Sequence, residues 1–167
     1  GLRYDSHFCD IPSNEIQDRK EEVLEKYKDL SLGRLIIKEY PTGSASVVTL
    51  RSHIEKLMLR GFIPSILIVD YADIMRATRG YDTLRHELKL VYEELRNLSM
   101  DLNIPVWTAS QAHRDSANSD IVGLENMAEA YGKAMVADVV LSISRKPMEK
   151  SSGSGRLFVA KNRAGKD

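Results

Sequence analysis

Apolar positions along the chain follow two rhythms, one helical and one extended. Ile16, Val23, Leu24, Tyr27 and Leu30 form one stripe behind Ser13 as a cap, which predicts a helix over about 14–31, stopped by Gly33. Leu35-Ile36-Ile37 predicts a short strand closed by Pro41 and Gly43. Leu50, Ile54, Leu57 and Met58 share a face of a second helix over about 47–60, with Gly61 suited to its C′ position. Pro64 introduces Ser65-Ile66-Leu67-Ile68-Val69-Asp70, a continuous apolar run that reads as a strand buried on both faces.

The longest helix is predicted over about 82–102, where Leu84, Leu88, Val91, Leu95, Leu98 and Leu102 alternate steps of four and three. Ile104 to Ala109 is the next strand. The polar stretch at about 112–125 reads as a loop and about 125–135 as a shorter helix. Asp138 to Ile143 and Arg156 to Lys161 are two further strands. The Ser151-Ser152-Gly153-Ser154-Gly155 link between them makes an antiparallel pair.

Strand and helix alternating through short connections predict an α/β fold, a mostly parallel sheet with helices on both faces, in a single domain over 1–167. Ligands on such sheets sit beyond the carboxyl ends of the strands. Asp70, Gln111 and the Lys161/Arg163 pair stand at or just past those ends.

Composition narrows the classes. With 24 Lys and Arg against 24 Asp and Glu, the formal charge is zero, so no broadly basic nucleic-acid surface is expected, although a local basic site is compatible. A single cysteine, Cys9, excludes an intrachain disulfide and a four-cysteine zinc site. No apolar run approaches the ~20 residues of a membrane span and no signal-peptide pattern is present, so no membrane partner and a reducing cytoplasm are expected.

Asp70 follows four apolar residues. A carboxylate there must emerge from the core, where it could bind Mg²⁺ directly or through water. An apolar strand ending in Asp is the Walker B pattern, although many parallel strands end in Asp as a cap or loop residue. Gln111 can donate and accept at once, which suits a terminal phosphate or its attacking water, or else ties down a loop. Lys161 and Arg163 occupy alternate positions of a strand end and point the same way, toward one anion or toward solvent. His86-Glu87 lacks a second histidine at position 90, which is Leu, and AKNRAGKD at 160–167 fails the GxxxxGK[ST] phosphate loop at its first Gly and its last residue.

Taken in order, these segments resemble the DnaB-like replicative DNA helicases, particularly those of phages. Ile66 to Tyr71 with Ile74-Met75 resembles the family's Walker B strand and turn. Ser110-Gln111-Ala112-His113-Arg114 resembles its Ser-Gln-x-x-Arg motif, and Lys161-Asn162-Arg163-x-Gly165 its Lys-x-Arg-x-Gly element. Glu129 through Asp138 resembles the segment that approaches DNA, and Ser44 to Arg51 is a weaker match.

The resemblance implies a RecA-like ATPase fold lacking the Walker A strand, in an ATP- and Mg²⁺-dependent helicase that moves along single-stranded DNA as a homo-hexamer. Primase and a helicase loader are implied partners, in the replisome of a bacterial or phage-infected cell. Asp70 would hold Mg²⁺ and Gln111 would sense the γ-phosphate. Arg163, with Lys161 beside it, would act on a neighbouring subunit's ATP. Ala128, Glu129, Tyr131 and Lys133 would face DNA.

Departures from the family pattern are the phosphate loop and the catalytic glutamate, expected before residue 1, and Asp73 and His113 in place of Gln and Asn. The sheet is therefore expected to show a gap or a rearranged strand order. The 167 residues resemble part of a larger helicase and are expected to be inactive by themselves. A recombinase or clock-type ATPase of the same fold, and a non-enzymatic DNA-binding or scaffolding module, are the alternatives.

Overall fold

The computed structural model describes residues 33–80, 83–111, 131–146, 149 and 151–165. Contacts divide the chain between Glu39 and Tyr40. The helix expected over 14–31 and the loop expected over 112–125 lie outside the described residues. Leu35-Ile36-Ile37 is not a strand: it is coil, with Leu35 82% and Ile37 84% exposed. Three apolar residues with no ladder beside them gain nothing from extension.

In the second unit, α1 spans Val47–Leu59 and begins with a capping box. The Ser46 hydroxyl accepts from the Thr49 N–H, and the Thr49 hydroxyl accepts from the Ser46 N–H. Each satisfies a donor that the first helical turn leaves open. Gly61 ends α1 at φ 77°, the left-handed conformation expected at C′.

Strand β1 (Leu67–Val69) pairs in parallel with β2 (Val106–Thr108), Ile68 opposite Trp107. Between them runs α2 (Leu84–Leu102), ended by Asn103 in the left-handed region at φ 51°. Asn tolerates that conformation because its short amide can bond locally. The step of four and three does what the pattern requires: Leu88, Val91, Leu95 and Leu98 are buried. Val91, Leu95 and Leu98 join Val47, Ile54, Ala72 and Tyr92 in one core, with Leu67, Val69 and Val106 against it.

The opposite face of the pair is open among the described residues, with Ile68 68% and Trp107 51% exposed. Burial of this strand on both faces is therefore not what is found. The alternation of strand side chains sends Ile68 and Trp107 away from α1 and α2 together.

A short helix α3 (Tyr131–Val136) leads into β3 (Val139–Ser144), antiparallel to β4 (Arg156–Asn162), with a bulge at Val140/Leu141. Gly153 turns the connection at φ 69°. Among the described residues, β1–β2 and β3–β4 form two two-stranded sheets. Among the described residues no helix is long and apolar enough to cross a membrane.

Candidate functional site

Strand β1 ends under a single hydroxyl. Thr108 Oγ1 donates to the Val69 carbonyl and accepts from the Ala72 N–H, both at 2.9 Å. This closes the turn after β1 and sinks Ala72 completely into the core. Asp70 is left exposed at the strand's carboxyl end; the Asp70–Tyr71 peptide is cis. Gln111 is exposed just past the neighbouring parallel strand. The pairing of β1 with β2 thus brings the two expected nucleotide-side residues to adjacent strand ends.

Asp70 is one carboxylate, and no group of three or more His, Cys, Asp or Glu suited to a metal occurs among the described residues. One carboxylate fits Mg²⁺, which keeps several waters and takes other ligands from substrate phosphates. Asp70 is the residue that would hold it, and the bound ion would neutralise charge on the phosphates.

Behind these strand ends lies a polar cluster that sequence reasoning missed. A 3-10 turn over Ala72–Ile74 carries Asp73. Its Oδ1 accepts from Tyr92 Oη of α2 and from Lys133 Nζ of α3, each at 2.8 Å. Its Oδ2 accepts from Ser110 Oγ at 2.9 Å, and Lys133 Nζ also reaches Ser110 Oγ at 3.3 Å. Lys133 Nζ lies 5.6 Å from the centre of the Tyr92 ring, a cation–π distance. Burial, and then the negative charge of Asp73, push the Tyr92 phenol well above its ordinary range. The available signal was a second carboxylate three residues after Asp70, followed by a lysine between Gly132 and Ala134 with no charged neighbour.

Lys133, expected on the DNA side, is 4% exposed and its ammonium is engaged by Asp73, so contact with a phosphate would require it to leave that carboxylate. The charge is held inside because a carboxylate, a hydroxyl and an aromatic face meet it there. Tyr131 opens α3, and Ala128 and Glu129 lie outside the described residues.

Lys161 and Arg163 do share a side of β4's end, and both turn toward the last carbonyls of α3. Lys161 Nζ donates to Ala134 O at 2.8 Å and Met135 O at 3.2 Å. Arg163 Nη2 donates to Met135 O at 2.9 Å, and Nη1 pairs with Asp138 at 2.8 Å. Cations suit a helix C-terminus, where unpaired carbonyls concentrate negative potential. Burial pulls the Lys161 ammonium below the usual lysine range, and the Arg163 charge adds to this. Gly165 closes the element, since a Cβ there would collide with the Asn162 side chain.

The chain resembles known proteins. The family described as the DnaB-like helicase C terminal domain matches residues 7–167. The DnaB-like replicative helicase of Enterobacteria phage T4 is 34% identical over 156 residues, 84% of this chain and 32% of that protein. A DnaB-like replicative helicase, solved in a study of its interactions with primase, superposes with a TM-score of 0.69 at 17% identity, covering 98% of this chain and 39% of that one. A second solved structure, an ATPase domain, superposes at 0.60 with 19% identity, over 72% of this chain and 45% of that one. The fold is accordingly the RecA-like one of helicase ATPase domains. The chain spans about a third of the length of the curated relatives it matches.

Proposed function

The chain belongs to the DnaB-like helicase C-terminal domain family, and we propose that it supplies the Walker B, sensor and finger parts of an ATP-driven replicative DNA helicase motor. The observation that carries this reading is the pairing of β1 with β2, which sets Asp70 and Gln111 at adjacent carboxyl ends. One acidic and one amide group there meet the needs of a nucleotide's terminal phosphates.

In this reading all of 1–167 is part of one motor domain. Asp70 holds Mg²⁺, and Gln111 hydrogen-bonds the γ-phosphate or its attacking water. Arg163 reaches a neighbouring subunit's ATP and stabilises negative charge as it develops, with Lys161 beside it. To do so it exchanges Asp138 and the Met135 carbonyl for phosphate oxygens. The 128–133 segment faces single-stranded DNA through Ala128, Glu129 and Tyr131 and contacts its backbone, which positions a strand without reading its sequence. A homo-hexameric ring, primase and a loader complete the proposed assembly.

The test is ATP hydrolysis and fork unwinding by the full-length gene product with Mg²⁺ and single-stranded DNA. Both activities are expected in the wild type and absent in Asp70→Asn. A folded full-length protein that hydrolyses no ATP with DNA and Mg²⁺ present would overturn the reading.

A further inference from the structure

Helix α3 is six residues long, yet it meets the turn after β1, the residue before Gln111, and both Lys161 and Arg163. Lys133 reaches Asp73, three residues after Asp70, and Ser110, the residue before Gln111. The carbonyls of Ala134 and Met135 receive Lys161 and Arg163. Tyr131, read above as facing DNA, is the first residue of α3.

The Asp73–Lys133 pair is the one ion pair among these ties. Its side chains are 17% and 5% exposed. Asp73 is gripped from three separate elements, by Tyr92 of α2, Ser110 after β2 and Lys133 of α3. A buried ion pair is seldom the most stable filling for such a space, because desolvation opposes the attraction and an apolar pair of the same volume does as well. Its best-attested use is to fix one register of packing against others. Coupling between sites is carried by such hydrogen-bonded networks where rigid elements meet.

We propose that Asp73 and Lys133 are positioning residues that lock α3 to the strand ends, so that DNA binding and the nucleotide side held by Gln111 and Arg163 respond together. The inference rests on the motor reading above and adds to it the connection between DNA and the two halves of the nucleotide site. Lys133 touches neither DNA nor nucleotide in this role. Its ammonium sets where α3 sits.

The experiment measures four quantities on the full-length gene product. They are kcat with and without saturating oligo(dT), the KM for ATP, the Kd for oligo(dT), and the thermal midpoint. The variants are Asp73→Asn, Lys133→Met, the double variant, and Lys133→Arg. In Asp73→Asn and Lys133→Met the stimulation of kcat by DNA is expected to fall about tenfold, an ordinary size for coupling between linked sites. KM and Kd are expected to stay within about threefold. Lys133→Arg, which keeps the charge, should retain most of the stimulation.

Undiminished stimulation in folded Asp73→Asn and Lys133→Met overturns the proposal. So does a Kd for DNA that weakens in step with the lost stimulation, because Lys133 would then be a direct phosphate contact. If neither single variant nor the double variant folds, the pair is architectural and the proposal falls. Absence of DNA-stimulated hydrolysis in the wild type would instead remove the motor reading, and the coupling with it. A stimulated wild type with equally stimulated variants removes the coupling alone.

Discussion

Arg163 holds one oxygen of Asp138 at 2.8 Å while Arg96 of α2 holds the other at the same distance. One exposed carboxylate thus joins β4's end to the long helix. The hydrogen bond from Arg96 and then the two guanidinium charges keep the Asp138 carboxyl below the usual carboxylate range. Arg163 is therefore pre-oriented, and under the proposed function a phosphate must outcompete a carboxylate to claim it. Arg163→Ala in the full-length protein is expected to cut turnover about 10³-fold, the low end for an arginine finger, with ATP binding largely kept. Mixing it with Asp70→Asn should partly restore hydrolysis, since some subunit interfaces would then carry both intact halves. Mixed assemblies no better than either parent would show that Arg163 does not act across an interface.

Breaking the Asp73–Lys133 pair from one side leaves a buried charge alone. Lys133→Met or Asp73→Asn is expected to lower unfolding free energy by about 3 kcal/mol, the low end for a buried pair, and the double variant by less than the sum. Urea denaturation of the four proteins closes this cycle. Simple addition of the two single losses would mean that the groups do not interact.

Tyr92 links folding to alkaline pH. Its phenol holds its proton more tightly in the native state than in the unfolded chain. The resulting stability is fully present below the unfolded value of about 10 and is lost as pH rises above it. Stability of the wild type should therefore fall between about pH 10 and 11.5 more steeply than that of Tyr92→Phe, which has no proton to lose there. Parallel curves for the two proteins would refute the linkage.

Leu98 and Ser46 set a scale for the rest of the fold. Leu98 is fully buried, so Leu98→Ala should cost about 3–4 kcal/mol through lost burial and the cavity left behind. Ser46→Ala removes one side of the α1 capping box and should cost about 1 kcal/mol. Chemical denaturation of both variants checks the ranking, which fails if the cap costs more than the core leucine.

What could be read in the sequence was whatever follows from local period and local punctuation. The four-and-three leucine step gave α2 to within about two residues at its start. Gly61 marked the end of α1, and the Ser-Gly link between two apolar runs gave the antiparallel β3–β4 pair. Asp70 and Gln111 could be placed near strand ends because each follows an apolar run: Asp70 directly follows β1, and Gln111 lies three residues past β2. Lys133 was not, since its burial depends on Asp73, Ser110 and Tyr92, three partners brought to it only by tertiary packing. Leu35 to Ile37 failed for the converse reason: apolar residues suggest a strand, but pairing makes one. Lys161 and Arg163 were correctly placed on one side of a strand end, but the helix carbonyls they meet could not be foreseen from spacing.

Trp107 is the sole tryptophan of the sequence and stands half-exposed beside Ile68 on the open side of the parallel pair. An indole so placed emits according to how much water surrounds it. The protein's own fluorescence is therefore a label-free gauge of this one surface: red-edged emission and ready quenching by iodide while the surface is wet, a blue shift and protection once anything apolar lies over it. Because α1 and α2 pack on the reverse side, the signal separates events on the two sides of this strand pair.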